Sequence, residues 1–162
     1  MASSEMAAPA AASEADASTA ETTLRLVRTF DAPIAMVFDA WTVPEQIVQW
    51  WGPEGCHVPE YRIDARPGEA WRTVMRSDTG DHIVSGVFHE ISPPNRVVFS
   101  WAWETDGQRG HETMVTVELR DLGQRTELAL TQREFETKDS CEQHSFGWNS
   151  SFDCLVAYLG EE

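Results

Sequence analysis

Residues 138–159 read KDSCEQHSFGWNSSFDCLVAYL, and this stretch decides the fold. Six apolar or small residues recur in it at steps of 4, 3, 4, 3 and 4, namely Cys141, Ser145, Trp148, Phe152, Leu155 and Leu159. That period predicts an α-helix with one continuous apolar face, which Thr137 or Asp139 can cap at its start. A helix buries such a face against a second layer, and we expect that layer to be a sheet.

The chain before this helix predicts that sheet. Leu24–Phe30 alternates as a first strand. A helix then starts at Pro33, capped by Asp31, and a second helix spans 44–51. Six further strands are predicted, joined by short turns: Cys56–Arg66, Glu69–Arg76, His82–Ile91, Arg96–Glu104, His111–Asp121 and Gln124–Gln132. The order β-α-α-β6-α predicts an α+β fold in which a curved antiparallel sheet wraps around the long C-terminal helix.

Composition limits the classes of partner. The chain has 162 residues and a net charge of −15, and its 12 basic residues form no cluster. We therefore expect no nucleic acid and no membrane as partners. Residues 1–22 are rich in Ala and Ser and predict a disordered tail before one domain over 23–160. The tail lacks the pattern of a secretory signal peptide, and the spacing of the three cysteines does not suggest a disulfide framework. These two features predict a cytoplasmic protein.

Side-chain size along the terminal helix suggests a cavity. The C-terminal half of its inner face carries large residues, whereas the N-terminal half carries Cys141 and Ser145. Small side chains leave space below a curved sheet, so we expect a cavity beside Cys141, His144 and Ser145 unless sheet side chains fill it.

Aromatic residues on the strands predict the wall of that cavity. Phe99, Trp101 and Trp103 alternate onto one strand face, and Trp71 and Met75 do so on another. Together with residues of the helices, the predicted ligand-binding set is Trp50, Trp71, Met75, Phe99, Trp101, Trp103, Cys141, His144, Ser145 and Trp148. Such a lining is typical of a small-molecule pocket. An ordinary tryptophan-rich core is the alternative.

The pair Trp50-Trp51 at the end of the second helix raises a separate question. Adjacent helical residues point about 100° apart, so the two indoles cannot face the same line of the core. Trp51 continues the apolar side formed by Ile47 and Val48, so we expect it in the core and Trp50 at the cavity mouth. Alternatively, both cap the edge of the sheet.

The sequence contains no catalytic or metal-binding motif. None of the five histidines has a metal-ligand spacing, and we expect no metal and no cofactor. His144 is the best single candidate for a general acid or base. The alternative is that it is only a polar residue of the cavity wall. We assign no catalytic residue, and an enzyme is the less favoured interpretation.

Several motifs together resemble a known superfamily. They include WWGPEG at 50–55, RPGEAWR at 66–72, EISPPNRVVFSW at 90–101 and TQREF at 131–135. Over residues 22–160 the chain resembles the START-like (SRPBCC, helix-grip) superfamily, in the branch related to the C-terminal domain of the activator of heat-shock protein 90 ATPase. The resemblance implies a sheet that grips the C-terminal helix, with a cavity between them, and supplies no catalytic set.

Three functions remain open. We favour a binding protein for a small apolar or aromatic ligand in the cavity between sheet and helix. The resemblance also includes cyclase- or hydrolase-type enzymes that would use the same cavity. A third alternative is a module that interacts with a chaperone, which would then be its partner.

Overall fold

A computed structural model describes residues 22–160. In chain order its elements are β1 (Thr23–Phe30), α1 (Ile34–Thr42), α2 (Pro44–Trp50), β2 (His57–Ile63), β3 (Ala70–Ser77), β4 (Gly80–Ser92), β5 (Arg96–Thr105), β6 (Gln108–Arg109), β7 (Thr113–Asp121), β8 (Thr126–Arg133) and α3 (Lys138–Gly160). The tail predicted over 1–22 lies outside the described residues except for Thr22.

The strands form one antiparallel sheet in the order β1-β8-β7-β5-β4-β3-β2, and β6 pairs with β5 as a short hairpin. The first strand thus lies beside the last one, and β1 and β2 are the two edges. The α1–α2 segment connects these edges, and α3 packs against both β1 and α2. The predicted α+β class, with a curved sheet around a long C-terminal helix, is confirmed.

The alternation of the strands places the core on one face of the sheet. On β5, Val97, Phe99 and Trp101 are buried, and their register partners on β7 are Val117, Val115 and Thr113. The predicted face of α3 is buried as well, at Cys141, Trp148, Phe152, Leu155 and Leu159. Each large apolar side chain buried in this way stabilises the fold by roughly 1.5–3 kcal/mol.

The helix ends differ in part from the predictions. Helix α1 starts after Pro33, which has extended backbone and whose carbonyl oxygen accepts hydrogen bonds from Met36 N and Val37 N. No side chain caps this helix, so the prediction that Asp31 caps it is wrong. Asp31 precedes the N-cap by two residues, whereas a capping side chain stands at that position itself. At α3, Thr137 is the cap, because its Oγ1 accepts from Ser140 N at 3.0 Å.

Candidate ligand pocket

Six of the seven tryptophans are buried and form one aromatic layer between the helices and the sheet. Trp51 lies at the centre of this layer. The centroid of the Trp51 ring is 5.6 Å from that of Trp50 and 5.8 Å from those of Trp71, Trp101 and Trp148. Edge-to-face and tilted arrangements predominate, which suit the quadrupoles of the rings. The layer therefore joins α2, β3, β5 and α3 through direct ring contacts.

The backbone explains why two adjacent indoles can both be buried. Helix α2 ends at Trp50, and Trp51 has extended backbone with φ −70° and ψ 132°. The indole of Trp50 donates from Nε1 to the carbonyl oxygen of Ala40 at 2.9 Å, whereas Trp51 Nε1 donates to Thr73 Oγ1 at 3.0 Å. Trp51 is buried in the core, as predicted, and also lines the cavity described below. Trp50 is buried as well and does not line that cavity, so its predicted position at the cavity mouth is wrong.

Gly52 allows this change of direction. Its φ of +90° favours glycine, and a Cβ there would lie 2.8 Å from Met75 Sδ. Met75 is buried beneath this turn. The turn at WWGP therefore ends α2 and directs the side chain of Trp51 towards the aromatic layer.

A cavity lies in this layer, under α1 and α2. It is lined by Trp41, Ile47, Trp51, Ile63, Trp71, Thr73, Phe88 and Phe99. Its volume, measured to the centre of a water-sized sphere, is about 20 Å³. Seven of these residues are buried, and only Ile63, at the end of edge strand β2, is half-buried. The cavity is thus closest to solvent beside Ile63.

Two of the predicted binding residues, Trp71 and Phe99, line this cavity. The other eight do not: Trp50, Met75, Trp101, Trp103, Cys141, His144, Ser145 and Trp148. Sequence reasoning missed Trp41, Ile47, Trp51, Ile63, Thr73 and Phe88. It placed the cavity against the terminal helix, whereas α1 and α2 supply the helical wall.

The space predicted to be a cavity at the start of α3 is occupied by side chains. Trp103 Nε1 donates to His144 Nε2 at 2.9 Å, and the ring of Phe135 lies 4.7 Å from that of His144. Cys141 is buried, and desolvation raises the pKa of its thiol to about 11. Rings from β5 and from the β8–α3 connection thus take up room that the prediction left for a cavity.

Both ring nitrogens of His144 are engaged. Nε2 accepts from Trp103, so the proton is assigned to Nδ1, which donates to the carbonyl oxygen of Ser140 at 2.8 Å. Burial among the rings of Trp101 and Phe135 lowers the pKa of His144. The histidine is a neutral structural link between β5 and α3, and it does not face the cavity.

This arrangement makes stability depend on pH. The unfolded chain protonates His144 near the ordinary histidine pKa of about 6.5, whereas the folded chain resists protonation to a lower pH. The free energy of unfolding should therefore fall as the pH drops below about 6.5. Urea titrations followed by circular dichroism at several pH values measure this. His144→Gln, which keeps an acceptor for Trp103, should flatten the dependence, and exposed His89→Gln should not. Equal pH dependence in both variants would contradict the assignment.

Polar groups inside the layer fall into two sets. Trp148 Nε1 donates to Gln132 Oε1 at 2.7 Å, and Gln132 Nε2 donates to Thr113 Oγ1 at 2.8 Å. The buried indole N–H groups of Trp41, Trp71 and Trp101 have no hydrogen-bond partner in the described structure. Trp41 and Trp71 both line the cavity.

The lining contains no ionisable side chain. The cavity therefore offers aromatic contact and neutral hydrogen-bonding groups, and supplies no acid, base or nucleophile of the usual catalytic types. Within residues 22–160, no group of three or more His, Cys, Asp or Glu side chains is placed to hold a metal ion. Across the same residues no helix is long and apolar enough to cross a membrane.

A shallow groove lies on the outer surface of the helices. It has a volume of about 380 Å³ and is lined by Pro33, Ala35, Met36, Asp39, Gln46 and Tyr158. It is larger than the cavity but carries no aromatic layer, and its wall includes a carboxylate. It is the competing location for any ligand that binds outside the interior.

Comparison with known proteins supports the fold and the family. Residues 31–160 match the family model described as activator of Hsp90 ATPase homolog 1-like protein. No curated protein matches the chain. The solved structures that resemble it include the AHSA1 protein from Silicibacter pomeroyi, which is 34% identical with a TM-score of 0.80; the alignment covers 85% of this chain and 97% of that one.

A protein from Chromobacterium violaceum is 25% identical with a TM-score of 0.76, over 85% of this chain and 96% of that one. A protein from Mycobacterium smegmatis shares the fold at 17% identity, with a TM-score of 0.76 over 90% and 94% of the two chains. With a curved sheet packed around the terminal helix and a family match over most of its length, this chain belongs to the activator of Hsp90 ATPase homolog 1-like family, within the START-like superfamily.

Proposed function

We propose that this protein binds a small apolar or aromatic molecule in the cavity beneath α1 and α2. The observation that carries the proposal is the lining: five aromatic rings and two isoleucines, with Thr73 as its one side-chain hydroxyl. Pockets for small organic ligands combine apolar walls with few polar points in this way. Membership in a family of ligand-binding or chaperone-associated modules supports it.

Binding requires the cavity to widen. A volume of about 20 Å³ is about the room that one water molecule needs. An aromatic ligand is larger, so side chains of the lining must move apart as it enters. The half-buried Ile63 stands on edge strand β2, which has a pairing neighbour on one side only. Movement there disturbs fewer sheet hydrogen bonds than movement at a central strand, so Ile63 is the proposed side of entry.

Blocking that side should weaken binding. Ile63→Trp places a bulky ring at the entry, and we expect it to weaken binding of ethylbenzene at least about tenfold, since it competes for the same apolar space. Isothermal titration calorimetry of the full chain measures the dissociation constant. Val27→Trp is the matched control, because Val27 is an exposed aliphatic residue on the opposite edge strand, β1. Absence of saturable binding to the unmodified protein, or equal loss in both variants, would contradict the proposal.

Catalysis in the same cavity receives no support from the lining. A cyclase or hydrolase needs a group that transfers protons to the substrate. His144 lies outside the lining and uses both ring nitrogens in hydrogen bonds within the protein. Ligand binding without chemistry is therefore the function we favour, and a cytoplasmic location remains a prediction from the sequence.

Chaperone interaction is the second candidate, and the description of the matching family model favours it. Its test is the ATPase rate of Hsp90 with and without this protein. A saturable increase supports the candidate, whereas an unchanged rate together with no retention of Hsp90 on the immobilised protein excludes it. The result does not depend on the cavity, so the two functions are tested separately.

A further inference from the structure

Two residues of the cavity wall carry hydrogen-bond donors that the protein leaves unused. The Nε1 atoms of Trp41 and Trp71 are buried and have no partner in the described structure, and both side chains are only 3% exposed. Buried polar groups are nearly always satisfied, because an unpaired one has lost its water and gained nothing in return. Two such donors on residues of one small cavity call for an explanation.

Three other buried indoles show that this interior can satisfy an N–H. Trp50, Trp51 and Trp148 each donate to an oxygen of the protein, at 2.9, 3.0 and 2.7 Å, whereas Trp101, outside the cavity lining, is unpaired like Trp41 and Trp71. The acceptors include a backbone carbonyl, a hydroxyl and an amide. Lack of acceptors in the fold in general is therefore not the reason why Trp41 and Trp71 stay unpaired.

The edge of Trp71 that bears its N–H lies against Gly86. Trp71 pairs with Gly86 across β3 and β4, and a Cβ at Gly86 would lie 2.8 Å from Trp71 Nε1. Any residue other than glycine would therefore press on this donor. Glycine therefore places no side-chain atom on this nitrogen.

From this arrangement we propose that the ligand is a neutral aromatic molecule that carries a carbonyl or ether oxygen, which accepts from Trp41 or Trp71. The rings of the lining suit an aromatic body. The unused donors require an acceptor, and a charged acceptor such as a carboxylate is disfavoured because no cation lines the cavity. This inference rests on the proposed function and specifies its ligand class.

Three probes of similar size test the ligand class on the full chain: ethylbenzene, acetophenone and benzoate. They present, respectively, no oxygen, a neutral carbonyl and an anionic carboxylate. Isothermal titration calorimetry should give acetophenone an affinity at least about fivefold above that of ethylbenzene, from one net hydrogen bond. Benzoate should bind at least about tenfold more weakly than acetophenone, since burial of an unpaired charge opposes it.

Trp41→Phe and Trp71→Phe test which donor acts. Each variant keeps a ring but removes one N–H, and the one that lacks the donor used by the ligand should reduce the preference for acetophenone over ethylbenzene towards one. An unchanged preference in both variants would overturn the inferred ligand class. Trp103→Phe is the control, because the N–H of Trp103 is already paired with His144 outside the cavity. It should leave the preference unchanged. The unmodified protein gives a second measurement that needs no variant, namely a downfield shift of a Trp41 or Trp71 indole proton upon addition of acetophenone.

The outcomes distinguish failure of the proposed ligand binding from failure of the inferred ligand class. If none of the probes binds, the proposed function fails. If ethylbenzene binds as well as acetophenone, or if benzoate binds best, the function stands and the inferred ligand class is overturned. If the indole protons of Trp41 and Trp71 lie upfield and do not move with acetophenone, they face neighbouring rings as N–H···π donors, and the inference is likewise overturned.

Discussion

Replacing Gly86 with alanine is expected to destabilise the fold by about 3 kcal/mol or more. A Cβ at this position would lie 1.9 Å from the carbonyl oxygen of Ser100 and 2.6 Å from its carbonyl carbon. These are backbone atoms of the neighbouring strand β5, so they cannot swing aside as the end of a flexible side chain could. The strands β4 and β5 would have to separate at a buried site.

Urea unfolding followed by circular dichroism measures this loss. Gly160→Ala is the matched control, because a Cβ at Gly160 meets no atom within 4 Å. The control should stay within about 0.5 kcal/mol of the unmodified protein. A Gly86→Ala protein as stable as this control would show that the close approach of β4 to β5 is wrong.

Replacing Gln132 with methionine should have the second largest effect, a loss of about 2–4 kcal/mol. Gln132 is fully buried and joins Trp148 on α3 to Thr113 on β7 through two hydrogen bonds. Methionine has a similar size but cannot accept from the indole or donate to the hydroxyl. The indole N–H of Trp148 would then remain buried without its partner, which costs its full desolvation.

The same unfolding experiment tests this prediction, with exposed Gln124→Met as the control. Nuclear magnetic resonance adds an independent readout, since the indole proton of Trp148 should shift upfield when its acceptor is removed. Equal stability of the two variants would mean that the Gln132 link contributes nothing to the packing of α3 on the sheet.

The sequence predicts the fold well because its strongest signals are periodic. The steps between Cys141 and Leu159 require one helix face, and the alternation over Val97–Trp101 requires one strand face. Both patterns depend only on local geometry, and the structure buries both. The family resemblance agrees with the same order of elements.

The sequence predicts the site less well because a cavity depends on what neighbouring elements project into it. Small residues at Cys141 and Ser145 indicated space, but Trp103 and Phe135 fill it from other elements. Trp51 changes direction where the backbone leaves the helix, a local event that a helical period cannot show. Thr73 gave a detectable signal as a hydroxyl on the inner face of a strand next to Trp71.

Nuclear Overhauser effects between bound acetophenone and the full chain locate the ligand directly. Binding inside the aromatic layer should give contacts from the acetyl methyl group to the indole protons of Trp41 or Trp71, and from the phenyl ring to Phe99. Contacts confined to the outer groove, at Met36 and Tyr158, would place the ligand on the surface and contradict binding inside the aromatic layer.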